Sequence, residues 1–156
     1  MGDGVYERIV AFLLENNVVF RELHHNPART SEESARVRGE ELKNGGKAML
    51  LKVDKTFRLF VLSAALKLDS SRVKECFGVK RLRFATEDEL LALTGLEPGS
   101  IPPFGPPIFD IELFVDNSVV ENRQIAFNAG SLTDSIIMNV EDYMRLARPV
   151  IFDFSM

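Results

Sequence analysis

The stretch GGKAMLLKVDKTFRLFVLS, residues 45–63, decides the fold. Its two β-rich runs, Lys47–Val53 and Phe57–Ser63, flank the short polar break at Asp54-Lys55, and that pattern predicts a β-hairpin. Working upstream, Val5, Ile9, Phe12 and Leu13 fall at helical spacing and predict a helix over Gly4–Glu15, stopped by Asn16-Asn17. Val18–Leu23 reads as a strand, broken by His24-His25-Asn26-Pro27. Thr30-Ser31-Glu32-Glu33 is a capping box opening a short helix that ends near Gly39. Downstream of the hairpin, Asp69-Ser70-Ser71 starts a helix that ends at Gly78, and Arg81–Ala85 is a short strand. A second capping box, Thr86-Glu87-Asp88-Glu89, opens a helix to about Thr94. Strands follow at Ile111–Val115, Gln124–Phe127 and Ser135–Met138. Asn139 caps a helix over Val140–Ala147, and Val150–Phe154 is the closing strand. A hairpin among irregularly alternating elements, without βαβ rhythm, gives the α+β class: a mixed sheet with helices packed on it. The whole of 1–156 reads as one domain.

Composition narrows the function classes. Hydrophobic residues are 46% and charged residues 27%, as in soluble globular proteins. The 12 phenylalanines, beside 2 tyrosines and no tryptophan, are expected to fill the core. No apolar run reaches the roughly 20 residues of a membrane helix. The N-terminal stretch lacks the basic lead and cleavage site of a signal peptide, so a cytoplasmic location is expected. Cys76 is the only cysteine, which excludes an internal disulfide and a multi-cysteine metal site. It is expected to be buried as a small hydrophobe. The net charge of −4 speaks against coating long nucleic acid or binding DNA. It leaves room for contact with one nucleotide end, where a lysine and a few amides suffice.

Three places carry potential chemistry. Lys47 opens an apolar strand directly after Gly45-Gly46, where the backbone is free to approach another group. It is either a solvated strand-end lysine or a point charge for a phosphate. The G-x-x-x-x-G-K-[ST] spacing of a P-loop is absent. Residues 95–107, GLEPGSIPPFGPP, hold too many prolines and glycines for helix or sheet interior. This is either a structural crossover or a rigid loop whose amides face a carbonyl or oxyanion. The run Phe127-Asn128-Ala129-Gly130-Ser131 is a strand entering a glycine turn, in which Asn128 and Ser131 offer polar side chains. His24 and His25 point to opposite faces of a strand and make a poor chelating pair, so no metal site is expected. No G-x-S-x-G elbow supports a serine nucleophile.

Taken in order, these segments resemble the YbaK-like aminoacyl-tRNA deacylases, the family related to the editing domain of bacterial prolyl-tRNA synthetase. HHNPARTSEESA (24–35) is similar to its H-x-P-x-x-T-x-E-E-A-A segment, and GGKAMLLKV (45–53) to its lysine-bearing strand. GLEPGSIPPFG (95–105) resembles its proline–glycine loop, and FNAGSLTDSIIM (127–138) the glycine turn before its last strands. The resemblance implies a curved mixed sheet approaching a barrel, flanked by helices. It implies hydrolysis of the ester joining a wrongly attached amino acid to tRNA. Lys47 would contact the phosphate near the terminal adenosine. Amides across Gly99, Ser100, Ile101, Pro102 and Pro103 would hold the ester carbonyl while water attacks, assisted by a tRNA hydroxyl. Asn128 stands where many relatives carry histidine in F-H-P-G, and could orient water or the substrate's amino group. The implied substrate-binding residues are His25, Thr30, Phe104, Gly130 and Ser131. No metal or cofactor is implied. The partners the resemblance implies are the aminoacyl-tRNA 3′ end and a synthetase, and neither DNA nor a membrane is expected. The F-N-A-G form together with P-P-F resembles a subgroup that removes serine or threonine, ahead of alanine. The replacement at Asn128 also motivates a second reading, a non-catalytic module that binds tRNA ends or a synthetase.

Overall fold

The hairpin at residues 45–63 forms, and its two strands are buried on both faces. The computed structural model describes residues 4–156. The chain begins with α1 (Val5–Glu15), β1 (Phe20–His24) and α2 (Ser31–Arg38), followed by a single 3₁₀ turn at Leu42–Asn44. The hairpin strands are β2 (Gly46–Val53) and β3 (Thr56–Ser63), and then come α3 (Ser70–Phe77), β4 (Leu82–Phe84) and α4 (Glu87–Thr94). After the proline–glycine loop the order is β5 (Leu113–Val115), α5 (Asn117–Val120), β6 (Gln124–Asn128), β7 (Asp134–Asn139), α6 (Val140–Ala147) and β8 (Val150–Ile151).

Two sheets result. One has the order β1-β7-β6 and is antiparallel throughout. The other has the order β4-β2-β3-β5-β8, antiparallel from β4 to β3 and parallel from β3 to β8. This is the mixed α+β architecture the sequence predicts. The sheets stay open and meet at a single bridge between Gly45 and Ala126. Gly46 makes that approach possible, because a Cβ there would lie 2.6 Å from the Ile125 side chain.

Side-chain alternation sends the hairpin into two cores. Leu50, Leu59 and Val61 meet Val5, Ile9 and Leu13 of α1 together with Ile125 and Ile136 of the other sheet. On the opposite face Leu51, Phe60 and Leu62 meet Val73 of α3 and Phe154. There Phe60 stacks on Phe114 at 5.1 Å and meets Phe154 edge-on at 5.3 Å. Each such apolar side chain contributes about 1.5–3 kcal/mol on burial.

Both capping boxes form, at Thr30–Glu33 and Thr86–Glu89. Four expectations need correction. The first strand is Phe20–His24 rather than Val18–Leu23, because β7 supplies partners from Met138 to Asp134. The last strand is only Val150–Ile151; the backbone N–H of Phe154 turns instead to the Asp116 carboxylate at 2.6 Å. Asn139 precedes α6 but makes no side-chain cap. Cys76 is exposed, because α3 gives its inner positions to Val73 and Phe77 and leaves Cys76 on the solvent side.

Asp116 is the fold's main buried carboxylate, 1% exposed. It caps the short helix α5 through the Ser118 N–H at 2.9 Å and binds the Phe154 N–H. Burial alone would raise its pKa, but hydrogen bonds from Ser118, Phe154 and Ser155 outweigh that and hold it below the ordinary carboxylate range. Asp116→Ala should cost about 2–5 kcal/mol in urea unfolding, since two buried N–H groups lose their acceptor. The carboxylate's contribution is complete above the unfolded value of about 3.9 and is lost as pH falls through the lower folded value. The variant should therefore show a flatter acid limb in its stability–pH profile.

Candidate functional site

The site begins with an open sheet edge. Gly45 gives its carbonyl to Ala64 at 2.8 Å on the β3 side, whereas Leu50 gives its carbonyl to Ala85 at 2.9 Å on the β4 side. Backbone direction alternates along a strand, so Gly46 and Ala48 turn outward like Leu50. β4 is only three residues long and pairs with Leu51–Val53. The N–H and C=O of Ala48 therefore look past the end of β4 into open space.

A cavity of about 340 Å³ lies against that edge, within the range of small-ligand sites. Residues Gly46–Leu50 form one wall, and Thr30, Ser34 and Arg38 from α2 and its cap form another. Pro98, Gly99 and Ile101 close a third side, with Asn128 between them and Phe84, Glu87 and Leu90 at the far end. The lining carries three cationic side chains, Arg29, Arg38 and Lys47, against one carboxylate, Glu87. The cavity is thus locally cationic in a chain of net charge −4. Lys47 reaches from the strand to the Leu66 carbonyl at 3.3 Å.

Asn128 ties the walls together. Its Nδ2 donates to the carbonyls of Gly99 (2.7 Å) and Ala28 (3.2 Å). Its Oδ1 accepts from Arg38 Nη2 (2.9 Å) and from the Ser135 hydroxyl (3.2 Å). Two carbonyls on one side and a guanidinium on the other fix the amide's orientation. Arg38 Nε donates in turn to Ser135 Oγ at 2.9 Å. Burial lowers the Arg38 pKa to about 10, partly offset by Glu40, so the group remains cationic near neutral pH.

His25 reaches this network from behind. Its Nδ1 lies 2.8 Å from the Asn26 carbonyl and must carry a proton to bond it, while Nε2 lies 2.7 Å from Ser135 Oγ. Ser135 has one proton to give. His25 Nε2 and Asn128 Oδ1 both lie within hydrogen-bond reach of it.

The proline–glycine loop offers fewer donors than its length suggests. Pro102 and Pro103 have no N–H, and the Ser100 N–H is bonded to the Glu97 carbonyl at 3.2 Å. The donors left for a ligand are the amides of Gly99 and Ile101. Gly99 holds φ at +88°, and a Cβ there would lie 3.0 Å from the Arg29 carbonyl.

Of the residues singled out in the sequence, Lys47, Gly99, Ile101, Asn128 and Thr30 line the cavity. The others stand behind its walls. Ser100 is buried with its hydroxyl on the Glu97 carbonyl, and the Pro103 carbonyl accepts from Tyr143 at 2.6 Å. Pro102 is buried, and its carbonyl accepts the Phe104 N–H. Phe104 lies in the core between Phe127 and Tyr143. Gly130 gives its N–H to the Ser100 carbonyl, and Ser131 bonds Thr133. Arg38 and Phe84 enter the site without having been singled out. Arg38 precedes the helix-ending Gly39, where a basic residue is ordinary. Nothing local separates it from Arg36.

Asn128→Asp tests the amide's orientation. The isosteric carboxylate would face the Gly99 and Ala28 carbonyls, and the variant should lose about 1–3 kcal/mol in urea unfolding at neutral pH. Unchanged stability would contradict the assigned network.

A family model described as an aminoacyl-tRNA editing domain matches residues 25–146. The multifunctional Ser/Thr-tRNA deacylase ProXp-y of Escherichia coli (strain K12) is 32% identical over 160 residues, covering 98% of this chain and 94% of that protein. The proline--tRNA ligase of Macrococcus caseolyticus is 28% identical over 141 residues, covering 90% of this chain but 23% of the ligase. In fold, the chain is similar to a crystal structure assigned as a trans-editing enzyme for prolyl tRNA synthetase. The TM-score is 0.81 at 23% identity, over 97% of each chain.

Proposed function

The chain belongs to the family of aminoacyl-tRNA editing domains, and from that premise we propose that it hydrolyses the ester of mischarged aminoacyl-tRNA, with serine and threonine as the amino acids removed. One observation carries the reading: a cationic cavity brings Lys47, the open edge at Ala48 and the amides of Gly99 and Ile101 to one place. Lys47 takes the phosphate near the terminal adenosine as a point charge. The Gly99 and Ile101 amides receive the ester oxygen as it gains charge. Water adds to the carbonyl carbon, the bond to the ribose oxygen breaks, and the water proton ends on that oxygen. The products are free amino acid and tRNA. Asn128 holds Gly99 in place, so it positions the loop whether or not it also meets substrate. The preference for serine and threonine is supported by the Escherichia coli relative, itself a Ser/Thr-tRNA deacylase, over nearly the full length of this chain. The likeness to part of a proline--tRNA ligase supports a synthetase as the partner that brings the tRNA body.

Purified protein should clear seryl- and threonyl-tRNA at substoichiometric concentration, faster than alanyl-tRNA. Lys47→Ala should lower kcat/KM at least tenfold, the value of one charge-assisted contact. Stable tRNA association without turnover would favour the non-catalytic module instead.

A further inference from the structure

Phe84 is the one phenylalanine that stays exposed, at 58%; every other is buried or half-buried. It closes the edge strand β4, and edge strands usually carry charge rather than a bare aromatic ring. It also stands on the cavity wall. Its register partner is Leu51, so its ring leaves the same sheet face as Met49 and Lys47. Leu51 lies four positions along the strand from Lys47, about 13 Å. The ring thus stands on the wall of a cavity whose lining carries three cations, Arg29, Lys47 and Arg38, against the single carboxylate Glu87.

An exposed aromatic face beside clustered cations is the arrangement that holds single-stranded nucleic acid, the cations taking phosphates and the ring a base. We propose that Phe84 is the stacking platform for the terminal adenine of the tRNA, a base subsite adjoining the ester. This rests on the deacylase reading above. It adds a nucleobase contact that the ester chemistry itself does not require. With Lys47 on the phosphate and Phe84 on the base, the terminal nucleotide is gripped at two points, and the ester is presented to Gly99 and Ile101.

The test uses two readouts. The first is binding of an uncharged CCA trinucleotide and of the same oligonucleotide with an abasic terminal ribose. The native protein should bind the base-containing form about tenfold more tightly. Phe84→Ala should erase the difference and Phe84→Trp should keep it, with thermal unfolding unchanged in both. The second readout is steady-state deacylation of seryl-tRNA, in which Phe84→Ala should raise KM about tenfold and leave kcat within about twofold. If Phe84→Ala retains native base preference and KM, the stacking platform is wrong even though the deacylase stands. If the native protein fails to deacylate but prefers the base through Phe84, the platform stands and the deacylase reading falls.

Discussion

The carboxamide of Asn128 is the constraint on which the site depends. One side chain joins the Gly99 loop, the segment before α2, Arg38 at the end of α2 and Ser135 on the neighbouring strand. These segments are far apart in sequence, and the amide pairs a polar group from each of them. Because both ends of the amide are used, the cavity's walls hold a fixed spacing. A buried network of this kind is stabilising only when complete. The amide fastens the loop, and His25 reaches the same network through Ser135.

The second determinant is β2, which serves two purposes along its length. Its middle and end are buried on both faces and carry the stability of both cores. Its start, from Gly46 to Met49, extends past β4 and lines the cavity. Lys47 is thus a charged residue on a rigid strand, a more precise support than a loop lysine would be. Three cations, Arg29, Arg38 and Lys47, line the cavity at this end against one carboxylate, Glu87. A chain of net charge −4 thereby carries a small cavity that is locally cationic.

What the sequence revealed follows the range of the forces involved. The hairpin, both capping boxes and the five longer helices were legible because their signals lie within a few residues. Lys47 and Gly99 were visible through the glycines and prolines around them. Arg38 was not, because its partner Asn128 lies 90 residues away and its own context is that of any helix end. Phe84 read as one more core phenylalanine; it ends an edge strand and stays exposed. The helix at Asn117–Val120 carried a local cue in Asp116, yet the importance of that carboxylate comes from Phe154, 38 residues on. Phe104 sits inside a motif that resembles the family's site loop, and its ring points into the core to anchor the loop from beneath.

The most direct test of the site is an amide-resolved NMR titration with a non-hydrolysable analogue, 3′-deoxyadenosine carrying serine through a 3′-amide. The account predicts that the perturbed signals are the amides of Ala48, Gly99 and Ile101 together with the Asn128 side chain. Perturbation confined instead to the other cleft, lined by Phe12, Asn16, Pro106 and Arg148, would contradict it.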